Sequence, residues 1–231
     1  MDGFHYVDIF ATKGIEYIVV IAFLLFLIPF WVPLNKPLKN AIRAGRKEFA
    51  SVRRWFTFVE GLYYHQGHSW ALPVGDNRVR VGIDDFAQKL LGTPQAIVLP
   101  RIGDKLTQGD KGWRLKVDSK EIDILSPISG KVVRVNNNVL ARPASLNQNP
   151  YEDGWLLEIE APKLTANLKN LVSGKLAKDW MRETVAALQE KMHGELGMVM
   201  QDGGGISSGF AKSISPDHWD EIAAEFLHTK S

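Results

Sequence analysis

Apolar residues run almost unbroken from Ile15 to Leu34, IEYIVVIAFLLFLIPFWVPL, with Glu16 as the only charge. About 20 such residues are what a helix needs to cross a hydrocarbon layer ~30 Å thick. Tyr17 and Trp31 stand near the two ends, where amphipathic rings prefer the interface, and Pro29 and Pro33 mark the distal end. The pattern predicts a single transmembrane helix within residues 1–34. A cleaved leader fits less well, because Asp2 and Asp8 precede the run and no A-x-A-like site follows it.

Cations follow at once. Lys39, Arg43, Arg46, Lys47, Arg53 and Arg54 crowd a stretch, residues 35–55, in which Leu38, Ile42, Phe49 and Val52 share one side of a helix. Such a helix suits the surface of an anionic leaflet, and equally a solvated linker or the face of a partner subunit; the excess of Lys and Arg predicts that the chain beyond it is cytoplasmic. The expected location is the bacterial inner membrane, single-pass, with the N-terminus outside and membrane lipid as one partner.

From Phe56 the pattern changes to brief alternating runs punctuated by Gly, Pro, Asn and Asp: Arg78–Val81, Ile97–Leu99, Trp113–Val117, Ile122–Leu125, Lys131–Val135 and Trp155–Ile159. Short strands spaced by turn residues predict a small barrel or sandwich, interrupted by one helical piece, Asp84–Leu91. A longer helical pattern covers Lys175–Met192. Gly194–Ile214 reads as a Gly- and Ser-rich linker. A last helix is expected from Ser215, capped by that side chain, with Pro216 at its first position and Trp219, Ile222, Ala223 and Phe226 as its apolar stripe. That stripe, above all Trp219, Ile222 and Phe226, is a candidate for docking either a partner or the chain's own domain.

The chain has no cysteine among its 231 residues, which removes disulfides, thiolate metal sites and a cysteine nucleophile. A formal net charge of +2 gives no ground for nucleic acid as a partner. His65 and His68 have H-x-x-H spacing, but no acidic or thiol residue nearby completes a metal set. Gly203–Gly205 lacks the strand and lysine of a phosphate-binding loop. Nothing reads as an enzyme active site.

One family likeness is specific. The stretches GHSW (67–70), VGIDDFAQ (81–88), SPISGKVV (126–133), NPY (149–151) and GWL (154–156) follow one another as in the glycine cleavage system H protein, which this region, about Phe56 to Met181, resembles. The likeness implies an α+β chain whose central domain, residues 56–182, is a lipoyl-type barrel-sandwich hybrid, followed by a helical extension over residues 183–231. It also implies a carrier chemistry, in which one hairpin lysine holds lipoate and the cofactor, not the protein, does the reaction. In the family that lysine lies eight residues before the proline of the S-P motif and eleven before the next glycine. Counted from Pro127 and Gly130, both land on Ser119, and Lys120 is one position away.

Two readings follow. In the first, Leu115, Val117, Ile122 and Ile124 face the core, and Asp118-Ser119-Lys120-Glu121 is a polar, solvated tip. The chain is then a membrane-anchored, non-catalytic scaffold without a cofactor, docking protein subunits of a membrane complex such as an electron-transfer assembly. In the alternative, Lys120 carries lipoate on a swinging arm. The residues favour the first, because a one-residue slip along a strand turns a side chain to the opposite face.

Overall fold

The computed structural model describes residues 16–25, 55–196 and 206–229. The first is a short helix, α1, whose side chains are all exposed. At 1.5 Å per residue it is about 15 Å long, half of a hydrocarbon layer. Among the described residues no helix is long and apolar enough to cross a membrane. The rest of the expected span, and Lys39, Arg43, Arg46, Lys47, Arg53 and Arg54, lie outside the described residues.

The main body, taken by itself, is two antiparallel sheets wrapped around a main core, with a second, smaller cluster of Leu62, Tyr64, Trp70 and Ala177. The strands are β1 (Tyr63–Tyr64), β2 (Ser69–Gly75), β3 (Arg78–Ile83), β4 (Ala96–Val98), β5 (Lys105–Leu106), β6 (Lys111–Val117), β7 (Lys120–Leu125), β8 (Gly130–Val135), β9 (Leu157–Glu160) and β10 (Val172–Ser173). Their order is β10-β1-β2-β3-β9-β8-β5 in the larger sheet and β4-β6-β7 in the smaller. Each expected strand is present within a few residues. Pro73 is tolerated inside β2 because β1 pairs only with Trp70 and Ala71, so at Pro73 that side of the strand is a free edge.

Helix α2 (Asp85–Leu91) begins where Asp84 accepts the Ala87 N–H at 2.8 Å. The Asp84 carboxylate also meets the Nδ1 of buried His68 at 2.7 Å. The His68 ring stacks on Phe86 at 4.2 Å. Helices α3 (Asn137–Ala141) and α4 (Leu164–Lys169) follow β8 and β9. At Gly130 a Cβ would run into the backbone of Glu160 in the neighbouring β9, so the S-P-x-S-G motif ends on a glycine for want of space.

Helix α5 (Gly174–Leu196) is the helix expected over Lys175–Met192, and it crosses residue 182. Two expectations about the C-terminal part are corrected. The supposed linker contains a further helix, α6 (Phe210–Ile214), with Ile206, Phe210, Ala211 and Ile214 buried in the same core as the strands. The last helix, α7 (Trp219–Phe226), starts three residues later than expected, because Ser215 terminates α6 instead of capping α7. Phe210 and Phe226 lie 5.7 and 5.3 Å from Phe86, joining both helices to the aromatic centre of the body.

Candidate functional site

Strands β6 and β7 form the hairpin that the sequence singles out. Trp113, Leu115 and Val117 on one strand and Ile122 and Ile124 on the other are buried, as their alternation requires. Arg114 lies on the outer face and reaches both Glu121 at 2.7 Å and Asp123 at 3.0 Å. Lys111 joins Asp123 at 2.7 Å. Charge thus decorates one face and hydrocarbon the other.

The register brings Val117 opposite Lys120, so the turn consists of Asp118 and Ser119 alone. Asp118 adopts φ of 52°, a left-handed conformation that its short polar side chain tolerates. Ser119 is exposed at the apex. Lys120 is therefore the first residue of β7 and shares the inward face with Ile122 and Ile124, which corrects the expectation of a four-residue solvated tip.

What lies on that face is the C-terminal segment. The Lys120 Nζ pairs with the Asp220 carboxylate and donates to the Asp217 carbonyl at 3.2 Å. It also stands 5.6 Å from the centre of the Trp219 ring. On the other side of the turn, Lys212 pairs with Asp118 and lies 5.1 Å from the same ring. The hydrogen bond from Lys120, first among the causes, holds the Asp220 carboxyl below the usual carboxylate range. Lys191 on α5 meets Glu225 on α7 at 3.0 Å.

Trp219, Ile222 and Phe226, offered by the sequence as a surface for a partner, are buried against the chain's own hairpin and α2. The question of self or partner is answered here in favour of self. The missed signal was Ile206, Phe210 and Ile214, which recur every fourth residue inside the Gly- and Ser-rich stretch.

The H-x-x-H pair divides. His68 is engaged by Asp84, whereas the His65 Nδ1 accepts the Gly67 N–H at 3.0 Å. Burial, and then the nearby His228 and His68, keep the His65 imidazole below its ordinary pKa. Among the described residues no cluster of three or more His, Asp or Glu is arranged to hold a metal.

The protein-family model described as the glycine cleavage H-protein matches residues 62–184, from β1 into α5 and through the whole hairpin. The chain belongs to the glycine cleavage H-protein family. The glycine cleavage system H protein of Mycobacterium sp. (strain KMS) is 39% identical over 113 residues, 48% of this chain and 86% of that protein. That of Coprothermobacter proteolyticus is 37% identical over 125 residues, 54% of this chain and 98% of the relative. A crystal structure of the glycine cleavage system H protein from Mycobacterium marinum aligns with a TM-score of 0.42 and 27% identity, over 46% of this chain and 87% of that one. H proteins are lipoyl carriers and not themselves enzymes, and this member is likewise not a catalyst. The family match ends at residue 184, so α6 and α7, which cover the hairpin, lie outside it.

Whether this hairpin fits lipoate turns on two side chains. The Ser119 hydroxyl at the apex cannot form the amide by which lipoate is held. Lys120 has the required amine at the end of the hairpin, with its side chain about one-third exposed (32%), but the amine is held by α7. Lys120 fits the group once that contact is released.

Proposed function

We propose that this chain is a lipoyl carrier of the H-protein type, presenting the group on Lys120 to partner enzymes. The observation that carries this reading is the family match over residues 62–184, whose span includes a hairpin with a lysine at its end. Lipoate, when bound, supplies a reactive disulfide on a long arm, and the protein contributes the position. The chain's own part is mechanical: Trp113, Leu115, Val117, Ile122 and Ile124 anchor the hairpin in the core, and the outer ion pairs stiffen its other face. Its partners on this reading are the other proteins of a glycine-cleavage-like system, since the relatives are components of that system.

A second reading rests on Ser119, which holds the position eight residues before Pro127 and eleven before Gly130. On it the hairpin is unmodified, and the chain is an adaptor holding protein subunits of a membrane complex. For both readings, the apolar run 15–34 and the cations Lys39, Arg43, Arg46, Lys47, Arg53 and Arg54 support attachment at the bacterial inner membrane, with the body in the cytoplasm.

Peptide mass spectrometry on protein purified from its native membrane fraction separates the readings. The carrier reading expects a lipoyl group on the peptide containing Lys120. A fully unmodified peptide, recovered with stoichiometric partner subunits, would sink it and leave the adaptor. Recovery only from the soluble fraction would refute the anchor.

A further inference from the structure

The segment that covers the hairpin grips it on both sides of the turn. Lys212 of α6 takes Asp118, Asp220 of α7 takes Lys120, and the Trp219 ring lies within 6 Å of both ammonium groups. Behind these charges, Trp219, Ile222 and Phe226 bury their side chains against the body, with both Phe226 and Phe210 packed on Phe86. Asp217, Trp219 and Asp220, which meet Lys120, are 97 to 100 positions away from it in the sequence, and none belongs to the stretch that defines the family.

We propose that α6 and α7 form a latch in cis over the hairpin, whose Asp220 contact must be released before the Lys120 amine is available for acylation. For its biological meaning the proposal rests on the carrier reading of Lys120; the physical claim concerns the amine alone. Buried Phe210, Trp219, Ile222 and Phe226 keep both helices docked, and the two ion pairs flanking the turn hold the amine and the turn against them. Those pairs lie at a partly exposed rim, where such contacts are individually weak, so a partner enzyme offering its own acidic group to Lys120 can replace Asp220. The latch therefore marks the inward face of the hairpin as a surface that any acylating partner must contest.

The test uses the full chain and its Asp220→Asn variant, which keeps the shape of the side chain and removes its charge. Both are treated with a limiting amine-acetylating reagent, N-hydroxysuccinimidyl acetate, and labelling of each lysine is followed over time by peptide mass spectrometry. Each acetylation forms an amide at Nζ, and N-hydroxysuccinimide and the amine proton leave. Lys116, exposed on the outer face of β6, is the internal reference. Lys120 should label more slowly than Lys116 in the natural chain, and the ratio should rise about two- to fivefold in the variant, the factor expected for loss of a rim ion pair. Equal labelling of the two lysines in the natural chain, or an unchanged ratio in D220N, overturns the latch.

A parallel incubation with a lipoate–protein ligase, lipoate and ATP forms the amide at Nζ with release of pyrophosphate and AMP. If acetylation responds to D220N but neither protein accepts lipoate, the latch stands and the carrier reading falls. If both proteins take lipoate on Lys120 at one rate, the carrier reading stands and the latch falls.

Discussion

Replacing Trp219 by alanine should destabilise the whole body, not only its last helix. The side chain is 4% exposed and belongs to the same apolar cluster as Phe86, Leu115 and Ile124. Truncating a buried aromatic ring to a methyl group typically costs about 3–5 kcal/mol. The ring also lies near two lysine ammoniums, and each such contact is worth about 0.5–1 kcal/mol at partly exposed sites. The loss should therefore fall in the upper part of that range. With a urea slope near 2 kcal/mol/M, typical of small domains, the unfolding midpoint should fall by about 2 M. Far-UV circular dichroism is the suitable probe, since the mutation removes a fluorophore. Leu176→Ala is the control, because that side chain is 69% exposed and should change stability by no more than about 0.5 kcal/mol. A midpoint for Trp219→Ala indistinguishable from the control would refute the claim that the C-terminal helices complete the core.

Gly130→Ala places a methyl group against the Glu160 carbonyl, which cannot move without breaking the β8–β9 ladder. The expected cost is about 1–3 kcal/mol, or a melting temperature lower by roughly 4–10 °C, and an unchanged melting temperature would show that the strand contact is looser than described. His65 is a base whose folded pKa is depressed by burial and by His228 and His68, so the unfolded chain binds a proton more readily. Its stabilising effect is complete above the unfolded value of about 6.5 and is lost as the pH falls below that value towards the folded one. Amide exchange in residues 206–229, corrected for intrinsic rates, should therefore quicken between about pH 7 and 5, and His65→Asn, which can still accept the Gly67 N–H, should flatten that dependence. Asp220 works in the same direction at lower pH. Its folded pKa is depressed, so its pairing with Lys120 is present above the unfolded value of about 3.9 and disappears as the pH falls through the folded one.

The hairpin was largely legible, because the period of two in Trp113, Leu115 and Val117 and again in Ile122 and Ile124 leaves only one way to bury both strands. The direction of Lys120 was not. Four polar residues in a row look like one solvated tip, and the inward face accepts a lysine only because Asp220, 100 residues later, meets its amine. Helix α6 escaped for a related reason. Five residues between glycine and serine carry little intrinsic helical preference, and the element persists by burying Phe210 against Phe86 and Phe56, at 5.7 and 6.0 Å. The break at Ser215 had an available local cause, since a residue before proline avoids the helical region; it sits at φ −140° and ψ 98°. The family likeness located the module, and the register from Pro127 and Gly130 located the apex, but neither bears on a segment that the family match does not reach.

The distance along the chain between Lys120 and Asp220 also sets a clock. At about 5–20 residues per second, a ribosome adds the acidic partner some 5–20 seconds after the lysine. During that interval α7 does not yet exist, so β6 and β7 lack the cover that it provides. Once Lys120 has emerged from the ribosome, a chain still lacking α7 has no Asp220 to hold the amine, and an acylating enzyme acting at that stage would meet no competitor for it. Modification of nascent chains and modification of finished ones would then differ in rate for a reason written in the order of the sequence.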